Sequence, residues 1–272
     1  MQRIVTAAVG IPILLVGIFL LDDEWFFALT VLAVDWAVLE YVRIARAWAP
    51  GAPLRALLVL VPLAALGLAV ATSPAAAGPP AVLAAGLLLT VAVGVLVLLG
   101  RTPPTEALPT FGAFSFGVPY FALGCVALYR LQALDPWLLF LGFVIVFLGD
   151  TAAYYVGSRL GRHKMTPVVS PNKSWEGAAA SLATAVAAAA AWSWWRLGAV
   201  PWELLALAAV TGVAAQFGDL AESLLKRGSG IKDSGNLLPG HGGVLDRIDA
   251  LLFAMPVLLA GVWWLGPERL VP

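Results

Sequence analysis

Three aspartates in the last fifth of the chain, Asp219, Asp246 and Asp249, stand where they could do chemistry. Asp219 is followed by Glu222, Ser223 and Lys226 at i+3, i+4 and i+7, spacings that share one face of a helix. Asp246 and Asp249 are three apart and share a face in the same way. Carboxylates brought together repel one another, and a hard cation such as Mg²⁺ held by oxygen ligands relieves the repulsion. Lys226, Arg227, Lys232 and Arg247 lie beside them and suit phosphate oxygens. His241 sits among Gly240, Gly242 and Gly243, where backbone amides can approach an anion closely. Carboxylates for a metal next to bases for phosphate are the inventory of metal-assisted phosphoryl or nucleotidyl transfer. Charges at a helix end also serve as interfacial anchors, and Lys226 and Arg227 fit that role equally well.

A second polar stretch has a related inventory. Asp150 precedes Tyr154 and Tyr155, and a basic loop with Arg159, Arg162, His163 and Lys164 follows. Next comes Ser170-Pro171-Asn172-Lys173-Ser174-Trp175-Glu176-Gly177. Ser170 or Ser174 could cap the helix that Glu176 and Gly177 open. Asn172 and Lys173 offer donors to a polar ligand, and Trp175 fits an interfacial belt. No G-x-x-x-x-G-K-[ST] string occurs, which disfavours a P-loop nucleotide site.

The elements that must position these residues are membrane helices. The chain of 272 residues is 61% apolar and only 12% charged, with a mean hydropathy of +0.92. A soluble domain carries about 25% charge. The composition excludes a disordered chain, a nucleic-acid-coating protein and an ordinary cytosolic enzyme, and the balanced charge draws no polyanion. One cysteine, Cys125, excludes an internal disulfide, and with two histidines a Cys/His zinc site is nearly excluded. A bilayer core needs about 20 apolar residues per helix. Nine spans are predicted, near 3–21, 25–45, 54–72, 79–99, 111–130, 136–158, 177–197, 201–225 and 247–266. With the N-terminus in the cytoplasm, thirteen of the 16 Lys and Arg residues fall on the cytoplasmic side, which places the C-terminus outside. The fold expected is an all-α integral membrane protein. Residues 1–130 form about five N-terminal spans, and 131–272 form four C-terminal spans that carry cytoplasmic loops at 159–175 and 226–246. Asp35 and Glu40 lie inside the second span and read as structural polar contacts between helices. The alanine-rich Ala178–Ala191 reads as a close-packing face.

Ser223-Leu224-Leu225-Lys226-Arg227, then Lys232-Asp233, then Pro239-Gly240-His241-Gly242-Gly243, then Asp246-Arg247-Ile248-Asp249 resembles the C-terminal signature of the phosphatidate cytidylyltransferase (CDP-diacylglycerol synthase) family. The Asp150 and Ser170–Gly177 strings are similar to that family too, so the resemblance covers roughly 150–250. Leu225 stands where an aromatic is common and Ser174 where threonine is common; neither departure removes a charged group. The resemblance implies transfer of CMP from CTP to phosphatidate with release of pyrophosphate, Mg²⁺ dependence, a homodimer, and a multi-pass place in the bacterial inner membrane with the site facing the cytoplasm. It implies metal ligation by Asp219, Asp246 and Asp249, with Lys226 and His241 completing the catalytic set. Ser223, Arg227, Lys232, Asp233 and Arg247 then bind substrate, and Asp150, Asn172, Lys173 and Glu176 complete the nucleotide side. A CTP-dependent lipid or polyprenol kinase would share this inventory and release CDP instead. A secondary transporter would want carboxylates at the midplane and an inverted repeat, and a non-catalytic scaffold would not need the two polar loops.

Overall fold

The computed structural model describes residues 2–73, 93, 95, 102–237 and 242–270. The expected span at 79–99 lies outside them except for Val93 and Val95, and so do Arg101, Gly240 and His241. Eight described α-helices follow one another: α1 (Gln2–Leu20), α2 (Asp23–Ala45), α3 (Leu57–Ala71), α4 (Ala107–Leu134), α5 (Pro136–Leu160), α6 (Trp175–Leu197), α7 (Trp202–Gly228) and α8 (Leu245–Leu265). Six of them, with their short 3₁₀ leads, are long and apolar enough to cross a bilayer: Asp23–Ala45, Leu54–Ala71, Pro104–Leu134, Pro136–Leu160, Trp202–Gly228 and Leu245–Leu265. Leu63, Leu66 and Val70 on α3 and Val210, Val213 and Phe217 on α7 are exposed, as lipid-facing side chains are. The protein is an all-α membrane protein with little sheet. Helices also form over the expected 3–21 and 177–197, but they fall outside those six: the apolar stretch of α1, Ala8–Leu20, is shorter, and α6 is rich in alanine, which carries little apolar surface.

The loop expected at 159–175 is not irregular throughout. It folds as a two-stranded antiparallel hairpin, β1 (Lys164–Thr166) and β2 (Ser170–Ser174), pairing Lys164 with Ser174 and Thr166 with Ser170. The four polar residues around Pro171 in β2 carry no apolar alternation, so the period-2 signal of a strand is missing from the sequence.

By contacts the described residues form two compact units. In the first (1–12, 24–126 and 225–247) the buried aromatics gather on Tyr41. Its hydroxyl donates to the Ala113 carbonyl at 2.9 Å, and its ring meets Phe121 edge-on at 5.5 Å. The turn after α2 is tied by Gly51 N–H donating to Glu106 Oε2 at 2.7 Å.

In the second unit (13–23, 127–224 and 248–272) helices approach through small residues. Asp135 caps α5 by accepting from Trp137 N–H at 3.0 Å, and Pro136 takes the first helical position, where its missing N–H is harmless. Ser174 caps α6 by accepting from Gly177 N–H at 3.2 Å, so of the two candidate serines Ser174 has the role. The α6 stripe Gly177, Ser181, Ala185 and Ala189 is buried at a spacing of four, bearing out the close-packing reading of the alanine run. Gly149 of α5 faces Ser181, Gly212 of α7 faces Ala185, and Gly218 of α7 lies against the backbone of Asp249 and Ala250 in α8.

A Cβ on Gly218 would come within 2.8 Å of the Asp249 carbonyl oxygen, a backbone atom that cannot rotate away. Gly218→Val is expected to destabilise the protein by about 1–3 kcal/mol, or more if α8 cannot shift. Thermal unfolding in detergent measures this, and Gly67→Val, whose Cβ would meet nothing within 4 Å, is the control.

Candidate active site

In the first unit the site residues are organised by two acidic side chains. Asp246, in the first turn of α8, accepts from Lys226 Nζ at 2.7 Å, from Ser234 N–H at 3.1 Å and from Gly243 N–H at 2.8 Å. Glu40, on α2 and 1% exposed, accepts from Ser234 Oγ at 2.8 Å, Leu245 N–H at 2.8 Å and Val244 N–H at 3.1 Å. The first amides of a helix have no partner within it. Here those of Val244 and Leu245 go to Glu40, and the amide of Gly243 just before them goes to Asp246; the charge of both acids also suits the positive end of the α8 dipole. Ser234 serves both acids, with its hydroxyl to Glu40 and its amide to Asp246. Gly243 fits so closely that a Cβ there would strike both Glu40 and Ser234 Oγ. The 226–246 segment is therefore a fastened structure where it leaves α7 and where it enters α8.

In the second unit Lys173 Nζ pairs with Asp219 Oδ2 at 2.7 Å and donates to the Gln216 carbonyl at 3.4 Å. Ser223 Oγ donates to Asp219 Oδ1 at 3.3 Å, as their shared helix face predicted. The hairpin brings Lys173 from β2 to α7, a contact the sequence did not announce. Glu176 turns back over the hairpin: it accepts from His163 N–H at 3.2 Å, and His163 Nδ1 lies 2.7 Å from its Oε1. Its own backbone amide at the start of α6, then the His163 side chain, hold its carboxyl down at about 2. Beside the Lys173–Asp219 pair lies an apolar cavity of about 480 Å³ between α6 and α7, with Trp175, Ala178, Leu182, Val213 and Phe217 in its wall.

The other expected site residues are placed as follows. Asp150, Asn172, Arg227, Lys232, Asp233 and Arg247 are exposed, whereas Asp249 is buried at 7% exposure. Spacing pointed to Asp219, Ser223, Lys226 and Asp246 but did not show that Lys173 meets Asp219 and the Gln216 carbonyl, that Ser234 joins Asp246 to Glu40, or that Glu176 meets His163. A glutamate inside an apolar span was the available signal for Glu40; it is a structural polar contact, made to the first residue of α8 and to Ser234 and Val244 before it. The donors Asp219, Asp246 and Asp249 are oxygen-only and suit a hard cation. Among the described residues no three His, Cys, Asp or Glu side chains stand close enough together to hold a metal ion, and Asp219 and Asp246 each carry a lysine.

Residues 1–265 match the model of the cytidylyltransferase family. The phosphatidate cytidylyltransferase of Pseudomonas aeruginosa is 39% identical over 97% of this chain and 97% of its own length. Those of Staphylococcus aureus and Staphylococcus saprophyticus are 39% and 37% identical over 52% of this chain and 55% of theirs. This chain belongs to the cytidylyltransferase family. It is a nucleotidyltransferase enzyme embedded in a membrane.

The Lys226 and Asp246 side chains are 13% and 6% exposed, against 23% and 36% for Lys173 and Asp219. Removing one partner of a buried pair strands the other charge, at a cost of about 3–5 kcal/mol, while an exposed pair contributes about 0–1. Lys226→Met is therefore expected to lower unfolding stability in detergent several-fold more than Lys173→Met. For Glu176, whose carboxyl falls from an ordinary 4.5 to about 2, the stabilisation is present above pH 4.5 and lost as pH falls through 2. The protection factor of the His163 amide, its exchange rate relative to the intrinsic rate at each pH, is expected to fall across that window in the native protein and to stay constant there in Glu176→Gln.

Proposed function

We propose that the protein is a phosphatidate cytidylyltransferase: it transfers CMP from CTP to phosphatidate, giving CDP-diacylglycerol and pyrophosphate in phospholipid synthesis. The match to the Pseudomonas aeruginosa enzyme over nearly the whole of both chains carries this reading. The geometry supports it. An apolar cavity walled by Trp175, Leu182, Val213 and Phe217 suits the acyl chains of a diacyl phosphate, which belong in the bilayer.

The lipid phosphate is already ionised at neutral pH, so the reaction needs no strong base. An oxygen of that phosphate attacks the α-phosphorus of CTP in line; the new P–O bond forms as the bond to pyrophosphate breaks. The protein's task is to align two anions and offset their repulsion. Lys226, Arg227, Lys232 and Arg247 neutralise phosphate oxygens, and Lys173 acts on the nucleotide side. Asp150, Asn172, Glu176, Ser223 and Asp233 complete substrate binding, and His241 sits near the leaving pyrophosphate or orders its loop. Asp219, Asp246 and Asp249 would hold Mg²⁺, with Asp219 and Asp246 giving up their lysine partners to the metal; when bound it would neutralise charge on the triphosphate. The family reading extends to nine spans, a cytoplasmic N-terminus and active site, an outside C-terminus, the bacterial inner membrane and a homodimer.

Purified protein with Mg²⁺, α-labelled CTP and phosphatidate is expected to yield labelled CDP-lipid and one pyrophosphate per turnover. Release of CDP would mark a lipid kinase instead, and solute uptake into proteoliposomes without nucleotide a transporter. Asp246→Asn is expected to lower turnover by about 100-fold or more; full CTP-dependent turnover in that variant would remove Asp246 from the ligand set.

A further inference from the structure

We infer that Glu40 is a positioning residue for the reaction: it acts through Ser234 and the start of α8 to hold Asp246 and Lys226 in their working geometry. The inference rests on the cytidylyltransferase reading above. Glu40 lies 194 residues before Ser234 and outside the polar stretches that carry the chemistry, yet its side chain is 1% exposed and accepts three hydrogen bonds, all from the 226–246 segment and its junction with α8. A carboxylate placed inside an apolar span for packing alone would be expensive. Here it satisfies two amides of a helix start and a hydroxyl that would otherwise be buried without acceptors.

The link to the site is short. Ser234 Oγ donates to Glu40, and the amide of the same residue donates to Asp246, which also takes Lys226 Nζ at 2.7 Å. Val244 and Leu245, held by Glu40, immediately precede Asp246. Glycine at 235 and 243 lets the backbone close down on the Glu40 carboxylate, since a Cβ at either position would overlap it. Glutamine at 40 would keep the volume but turn one acceptor into a donor facing an amide or the Ser234 hydroxyl. The segment would then lose a fastening without losing any group that touches substrate.

The test compares wild type, Glu40→Gln, Ser234→Ala and the double variant by steady-state kinetics with CTP and phosphatidate, and by hydrogen exchange in detergent. Glu40→Gln is expected to lower kcat by about 10- to 100-fold, as a displacement of about 1 Å in a reacting constellation does. KM for phosphatidate should change less than about threefold, because the lipid cavity is built from other residues. Exchange protection should fall in 226–237 and 242–247 and hold in α2 and α4. Ser234→Ala keeps its backbone amide and removes one link, so its loss is expected to be smaller, and the double variant should be no worse than Glu40→Gln alone. The inference is overturned by a Glu40→Gln enzyme with wild-type kcat, by protection lost throughout the protein, or by single effects that multiply in the double variant. Wild-type protein that makes no CDP-lipid would overturn the functional reading itself, which separates the two failures.

Discussion

A buried carboxylate must find donors, and Glu40 finds them in a segment two hundred residues away. Without it, the start of α8 would present the amides of Val244 and Leu245 to a low-dielectric interior with no acceptor, each a loss of about 1–3 kcal/mol. With it, residues 234 and 243–245 of a polar, glycine-bearing segment are held against an apolar helix. The ion pair of that segment, Lys226 with Asp246, sits on this foundation. Their pairing would be of little use if the backbone between them were free to wander.

The second unit solves a similar problem differently. Lys173 rides on a short hairpin, and the hairpin is fastened at both ends of its turn into α6: Ser174 caps the helix, and Glu176 reaches back to His163. Small residues do the rest. Ser181, Ala185 and Ala189 on α6 and glycines on α5 and α7 let helices approach, which brings Lys173 to Asp219 and leaves a cavity walled by apolar side chains.

The low charged fraction conceals a concentration. Of the 32 Asp, Glu, Lys and Arg residues, 15 lie in 150–176 and 219–249. In a bilayer the rest of the chain cannot bear such groups, so they collect in polar segments at helix ends. Opposite charges then pair closely, as Lys226 with Asp246 and Lys173 with Asp219, and these pairs are the groups that would exchange partners with anionic substrate and its counter-ion.

Hydropathy was sufficient to locate each described helix to within a few residues, because the need for about 20 apolar residues is local and compositional. The face shared by Asp219 and Ser223, the cap at Ser174 and the packing stripe of α6 were legible for the same reason: helical spacing fixes which side chains are neighbours within one element. The hairpin at 164–174 was not legible, since its polar residues show no alternation. Nor were the partners. That Glu40 meets Ser234, that Lys173 meets Asp219 and that Lys226 meets Asp246 depends on how distant segments pack, and spacing along one helix carries no information about which acceptor a donor on another segment will reach. The sequence by itself determined a membrane helix protein with its charged residues gathered in two stretches. Only the tertiary structure decided which of those residues hold one another, because a buried charge is satisfied by whatever the fold brings within about 3 Å.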